Sequence, residues 1–279
     1  MFNKVIISNK KEFEKKISKL KEDGFSNLHV VSDFDRTLTK SIINGRKTPS
    51  GIALIREGNY LTEDYPKKAF DLFKKYHPFE IDSKVDPDFR NKMMIEWWQT
   101  HVDLMVESEM NKSVVEDIIK RYNKIFRDKT SDLLTFLNKK NIPLLIFSSG
   151  LGDLIEGFLK KENLSFDNIS IIANFYNYKK DNTINGYKGN IIHVFNKSKV
   201  QVENQNIAKV RNRTNLILLG DSIGDLGMSK GLEHDCILKI AFLNEKIEER
   251  LDDFKKEFDV IITNDGSMEY VFDLISSIW

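Results

Sequence analysis

The chain has 279 residues, 41% of them hydrophobic and 30% charged, with a formal net charge of +1. That length suits one large α/β domain or a core domain carrying a smaller insert, and the mixed, near-neutral charge gives no broad basic footprint for nucleic acid or an anionic membrane. A single cysteine, Cys236, excludes an intrachain disulfide, and no apolar run approaches the roughly 18 residues a membrane helix needs, so a cytoplasmic chain is expected.

In chain order, residues 9–23 carry Phe13, Ile17 and Leu20 at helical spacing, with Asn9 and Glu12 as a cap and Gly24 as the stop. Leu28 to Val31 reads as a buried strand. Its tip carries Asp33-Phe34-Asp35-Arg36-Thr37-Leu38-Thr39. Residues 42–128 then break the rhythm with helical stretches and no convincing strand, which predicts an inserted helical cap between two parts of a core, 1–41 and 129–279. Within it, Ala69, Phe70, Phe73 and Tyr76 form an apolar face that Pro78 is expected to end, and Ser113 with Glu116 reads as a capping box ahead of Val114 and Ile118.

Pro143 to Phe147 is the next strand, followed by Ser148, Ser149 and Gly150, and Leu154, Ile155, Phe158 and Leu159 mark a helix. Ile169 to Ala173 is a strand, and 174–190 suggests a hairpin or ordered loop. The apolar run Ile191 to Phe195 leads to Lys197. Leu216 to Leu219 leads to Gly220-Asp221-Ser222-Ile223-Gly224-Asp225. The strands Ile237 to Phe242 and Val260 to Ile262 alternate with helices marked by Leu251 and Phe254 and by Val271 and Ile275; Cys236 reads as a packed thiol. Strands alternating with helices give an α/β fold, a Rossmann-like, mostly parallel sheet covered on both faces.

Four of these segments place reactive groups where strands are expected to end, the usual location of ligand sites in open α/β sheets. Two carboxylates one residue apart, Asp33 and Asp35, repel unless a cation or a shared proton separates them. One can attack while the other moves protons. Ser148 with neighbouring N–H groups opening a helix makes a phosphate seat, Lys197 can pair with an anionic oxygen, and the acids of the 220–225 turn suit Mg²⁺. Each segment alone also fits a plain turn or a solvated lysine.

Together, Asp33-x-Asp35-x-Thr37, Ser148, Lys197 and Gly220-Asp221-x-x-x-Asp225 resemble the four motifs of the haloacid dehalogenase superfamily. Ile146-Phe147-Ser148-Ser149-Gly150 and His193-Val194-Phe195-Asn196-Lys197 resemble the cytosolic 5′-nucleotidase III, or pyrimidine 5′-nucleotidase, family. The resemblance implies Asp33 as nucleophile and Asp35 as acid/base, with substrate phosphate held by Ser148, Ser149 and Lys197. It implies Mg²⁺ held by Asp33, Asp35 through its backbone carbonyl, and Asp221, with Asp225 in support. In the cap it implies Glu80, Trp97 and Trp98 as base contacts. His101 stands where relatives carry a small polar residue, so ligand contact and cap packing both remain open for it.

The expected activity is Mg²⁺-dependent hydrolysis of pyrimidine nucleoside 5′-monophosphates, CMP and UMP, and of 7-methylguanosine monophosphate. Transfer of the phosphoryl group to a second nucleoside is an expected side reaction. The alternatives are another small-molecule phosphomonoesterase of the superfamily, or a phospho-acceptor signalling module, which Asp35 argues against because it promotes hydrolysis of the acyl phosphate. The expected partner is a nucleoside monophosphate, with no nucleic acid and no membrane, for a chain acting as a monomer.

Overall fold

Seven strands form the central sheet of the computed structural model, which describes residues 4–82, 84–197 and 209–278. In chain order the strands are β1 (Val5–Ile7), β2 (Leu28–Ser32), β3 (Ile42–Ile43), β4 (Arg46–Lys47), β5 (Leu144–Leu151), β6 (Ile169–Asn174), β7 (Tyr176–Tyr178), β8 (Ile184–Tyr187), β9 (Asn215–Gly220), β10 (Cys236–Leu243) and β11 (Val260–Thr263). The sheet order is β1-β11-β10-β9-β2-β5-β6, parallel except for the edge strand β1, which runs antiparallel to β11. All six expected strands of the sheet are present. β1 escaped the sequence reading because three residues next to a lysine carry too little apolar pattern to declare a strand.

The strands are buried on both faces, and alternate residues serve different layers. Val30, Ile146, Ile217 and Ile240 join one cluster, packed by Leu20 of α1 (Lys10–Asp23), Leu134 of α6 (Thr130–Lys139), Ile155 of α7 (Gly152–Lys161) and Ile275 of α9 (Glu269–Ile278). Val31, Leu145, Leu218 and Ile261 join the other, with Phe254 of α8 (Ile247–Glu257). Cys236 lies in β10 and is buried. Asn9 caps α1 as expected, its Oδ1 accepting from the Glu12 N–H at 3.2 Å, and Gly24 ends the helix at φ 73°.

Between β2 and β5 the chain runs through α2 (Gly51–Glu57), α3 (Tyr65–Ile81), α4 (Pro87–Glu107) and α5 (Lys112–Arg121). A two-residue ladder, β3 with β4, precedes them, a short strand pair that the sequence reading missed. Two local expectations change. Pro78 lies inside α3, which continues to Ile81; only the bond from its missing N–H is forfeited, and the Asp82 N–H still reaches the Pro78 carbonyl at 3.1 Å. The cap of α5 is Asn111, whose Oδ1 accepts from the Ser113 N–H at 3.0 Å, so Ser113 is already helical.

The chain enters and leaves this region side by side: Lys40 N donates to Ile125 O at 2.7 Å, and Arg127 N to Leu38 O at 2.9 Å. The near half of the inserted helices, with Val102, Met105, Met110, Val114 and Ile118, shares the main core cluster. Tyr76, Met93 and Met94 at the far end of α3 and α4 form a separate small one. The 174–190 segment is the expected hairpin, β7 with β8, and Ile184 donates its N–H to Met110 O at 3.0 Å.

Candidate active site

The C-terminal ends of β2, β5 and β9 converge, and the polar residues that follow them do too. Asp33 continues β2, and its N–H donates to Leu219 O of β9 at 3.0 Å. Lys197 Nζ donates to Asp33 Oδ1 at 2.7 Å and to Asp225 Oδ1 at 2.8 Å, with all three side chains almost fully buried. The other oxygen of Asp225 accepts from the N–H groups of Asp221 and Ser222 and from the Ser222 hydroxyl, at 2.9 to 3.1 Å. Asp225 therefore holds both the turn and the lysine. Gly220 lets it approach: a Cβ there would lie 2.7 Å from the Cβ of Asp225, so no larger residue fits without moving the turn.

Asp35, two residues after Asp33, faces the end of β5. A Cβ placed on Gly150 would lie 3.1 Å from Ser148 Oγ and 3.4 Å from Asp35 Oδ2, so the bare glycine lets the β5 end and the β2 loop face each other. Ser148 Oγ accepts from the Gly150 N–H at 3.0 Å. Asp35 and Gly150 also wall a small cavity of about 30 Å³ whose remaining lining is mainly apolar, including Phe34, Leu54 and Ile155. Asp33, Ser148 and Lys197 do not line it.

Burial sets the electrostatics. It raises the Asp33 carboxyl to about 7 against the pull of Lys197, with Asp225 pushing the same way as burial. It raises Asp35 to about 6, opposed by Arg36 and Lys197. Burial and then Asp225 and Asp33 push Asp221 well above the carboxylate range. Burial pulls Lys197 down, but Asp225 and Asp33 outweigh it and keep the ammonium charged. Three carboxylates, Asp33, Asp221 and Asp225, have oxygens within 4.8 Å of one another. An all-oxygen donor set whose members resist sharing their charge fits a hard divalent cation. The side chain of Asp35 is not part of that group.

Lys197 does not follow a strand, contrary to the sequence expectation. Ile191 to Phe195 forms an irregular loop and a turn, and side-chain amides replace the missing ladder. Asn174, at the end of β6, donates Nδ2 to Ser149 O and to Ile192 O and accepts from the Ile192 N–H, all at 2.8 Å. It registers the Ser148–Ser149 segment against the Lys197 loop. Asn196 does the same within the loop, accepting from His193 N and donating to Ile191 O at 2.8 Å.

Arg127 fixes the β2 loop from behind. Its buried guanidinium donates to Thr37 O, Gly266 O, Asp265 Oδ1 and Asn244 Oδ1, each at 2.8 Å, and to Arg36 O. Neither Asn174 nor Arg127 stood out in the sequence. A lone Asn at a strand end and a lone Arg before a helix carry no local signal.

The inserted helices place the other expected residues. Glu80 Oε2 meets His77 Nδ1 at 2.8 Å on α3. Trp97 stacks near Tyr76 with ring centroids 6.1 Å apart, and Trp98 lies 6.1 Å from Tyr187 of the hairpin. His101 is 3% exposed, its Nε2 3.0 Å from Tyr65 Oη, and burial lowers it to about 4.

Residues 36–279 match the model of the family described as pyrimidine 5′-nucleotidase (UMPH-1). The chain belongs to this family. The 7-methylguanosine phosphate-specific 5′-nucleotidase of Rattus norvegicus is 34% identical over 264 residues, covering 94% of this chain and 88% of that protein. A crystal structure of cytosolic 5′-nucleotidase IIIB bound to cytidine superposes with a TM-score of 0.90 at 29% identity, covering 98% of this chain and 93% of that one. A phosphoserine phosphohydrolase-like protein from Francisella tularensis shares the fold alone, with a TM-score of 0.52 at 17% identity over 90% of this chain and 99% of its own. The chain is therefore a hydrolase of the 5′-nucleotidase kind on a haloacid dehalogenase-type α/β fold.

Proposed function

We propose that this 5′-nucleotidase hydrolyses pyrimidine nucleoside 5′-monophosphates, CMP and UMP, and 7-methylguanosine monophosphate, through a phosphoryl group carried on Asp33. The observation that supports this most is the buried contact of Lys197 with Asp33 and Asp225, with Asp35 and Ser148 beside it. A carboxylate so held is oriented for in-line attack and has its charge balanced before substrate arrives.

In the first step a carboxylate oxygen of Asp33 bonds to phosphorus as the bond to the nucleoside 5′-oxygen breaks, and Asp35 gives that oxygen its proton. A carboxyl raised to about 6 is suited to hold that proton near neutrality. In the second step Asp35 takes a proton from water, and the water oxygen displaces Asp33 from phosphorus, releasing phosphate. A nucleoside in place of water gives phosphotransfer. Ser148, Ser149 and Lys197 would hold the phosphate oxygens.

Asp33, Asp221 and the backbone carbonyl of Asp35 would hold Mg²⁺, with Asp225 in support; the ion supplies charge that offsets the repulsion between carboxylate and phosphate dianion. Residues 42–128 serve as a cap that contributes Glu80, Trp97 and Trp98 to the base side, while His101, 3% exposed and bonded to Tyr65, packs inside it. Among the described residues no helix is long and apolar enough to cross a membrane, and we take the chain to act as a cytoplasmic monomer.

The test is phosphate release from CMP, UMP, 7-methylguanosine monophosphate and sugar phosphates, with Mg²⁺ or EDTA, in the native chain and in Asp33→Asn. Metal-dependent release from the nucleotides that vanishes in the variant is the expected result. Release from sugar phosphates alone would keep the chemistry and remove the base assignment.

A further inference from the structure

Along one side of α3 a continuous stack leads from α2 to Glu80. The Arg56 guanidinium lies 4.7 Å from the centre of the Phe73 ring. Phe73 stacks on His77 with centroids 4.5 Å apart and planes 18° from parallel. One turn further on, His77 Nδ1 lies 2.8 Å from Glu80 Oε2. The His77 ring is thus held by its face, and Glu80 by the ring.

The backbone of Glu80 is fixed separately. Arg90 of α4 donates Nε to Phe79 O at 3.0 Å and Nη2 to Glu80 O at 2.8 Å, which occupies carbonyls left free at the end of a helix. The same guanidinium lies 4.2 Å above the ring of Phe195, two residues before Lys197. The end of α3 is therefore tied through Arg90 to the loop that carries Lys197, and the backbone of Glu80 is fixed there.

We propose that His77 is a positioning residue for base recognition: its Nδ1–H fixes Oε2 of Glu80 and leaves Oε1 to accept from a base edge that presents N–H donors. This rests on the assignment of Glu80 to the base side made above. A free glutamate must surrender rotamer freedom to meet a ligand, whereas one already held by a neighbour has lost it before binding. Cytosine, with its exocyclic amine, and 7-methylguanine, with N–H groups on a cationic ring, both suit such an acceptor.

Two substitutions separate the donor from the stack. His77→Phe keeps a ring on Phe73 and removes the hydrogen bond; His77→Asn keeps a nitrogen donor near the position of Nδ1 and removes the ring. With CMP, His77→Phe should raise KM about five- to tenfold, the upper part of the range for an ordinary hydrogen bond and fitting a half-exposed pair, while kcat changes less than twofold. His77→Asn should stay within twofold of the native KM. Ribose 5-phosphate, which has no base, should show no change with His77→Phe. Adding His77→Phe to Glu80→Gln should raise KM no further than Glu80→Gln does by itself.

A native KM in His77→Phe alongside a raised KM in Glu80→Gln would overturn the role of His77 and leave Glu80 in place. An equal rise in His77→Phe and His77→Asn would overturn it in favour of the ring stack. A native KM in Glu80→Gln would overturn both assignments together.

Discussion

The catalytic floor and the far end of the inserted helices are built by opposite means. On the floor, charged and polar side chains are buried and cross-bonded: Lys197 serves two carboxylates, Asp225 binds four donors in all, and Arg127 satisfies five acceptors. At the far end of α3 and α4, aromatic rings stack around a small cluster of Tyr76, Met93 and Met94, and Phe70, Ile81 and Phe89 remain exposed. Directional bonds fix atoms to within a fraction of an ångström, as phosphoryl chemistry requires. Stacking and methionine packing tolerate adjustment, which suits recognition of bases that differ in shape. On the proposed assignment, the difference teaches that reaction and selectivity are stored in separable parts of one chain.

The strongest test of that separation is at Asp33, the proposed nucleophile. Asp33→Asn should lower phosphate release from every ester by roughly 10⁴-fold or more, with or without a base, because no step bypasses that oxygen. Equal loss on CMP and ribose 5-phosphate is the expected pattern; a loss confined to nucleotides would break the comparison.

Lys197→Met comes next. It should lower kcat by about 10² to 10³ and also destabilise the metal-free protein by on the order of 3 kcal/mol, since it strands the buried carboxylates of Asp33 and Asp225. Thermal unfolding with and without Mg²⁺ checks this. The added ion should recover part of the lost stability and little of the rate.

At the other end, Met94→Ala opens a cavity in the small cluster, where Met94 is 1% exposed. The loss expected is about 2–4 kcal/mol of local stability. Hydrogen exchange should rise in the far turns of α3 and α4 while the floor strands keep their protection, and turnover of ribose 5-phosphate should fall less than that of CMP. Uniform exchange across both parts would show that the two regions unfold as one.

The effect of least consequence for turnover concerns pH. His101 is held neutral, its proton affinity lowered by burial from 6.5 to about 4. Between those values the unfolded chain binds a proton that the folded chain refuses, so stability is lost as pH falls from 6.5 toward 4, by up to about 3 kcal/mol, and is unaffected above 6.5. Asp35 acts in the opposite direction: raised to about 6, it favours the folded state as pH falls from 6 toward 3.8. Comparing denaturant midpoints of the native chain and His101→Gln across pH 4 to 7 isolates the histidine. The variant should show the shallower fall in acid.

The floor was largely legible in the sequence because its motifs sit beside short, densely apolar strands, such as Leu28 to Val31 before Asp33 and Leu216 to Leu219 before Asp221. Local pattern carries that information. What it does not carry is the partner at a distance. Asn174 and Arg127 act on residues 18 to 139 positions away, and nothing near either one announces it. Lys197 was found by its neighbours but assigned to a strand end, since an apolar run such as Ile191 to Phe195 looks the same whether a ladder or two asparagine amides satisfy its backbone. In the inserted helices the apolar faces were legible and the ends were not: Asn111 outcompetes Ser113 as a cap, and α3 passes through Pro78.

The near half of the inserted helices is attached to the core at close range. Lys161 of α7 donates to the carbonyls of Ile119, Lys120 and Tyr122 at the end of α5, at 2.6 to 3.1 Å, and a Cβ on Gly157 would lie 2.0 Å from the Ile119 side chain. Such a seam governs which pieces can be grafted between relatives. A chimera that imports α5 must import α7 with it, or the donor isoleucine meets a host residue with no room for it. A transplant confined to the outer turns of α3 and α4 meets the core at a looser contact, Arg90 over the ring of Phe195 at 4.2 Å, so it must keep that pair and little else.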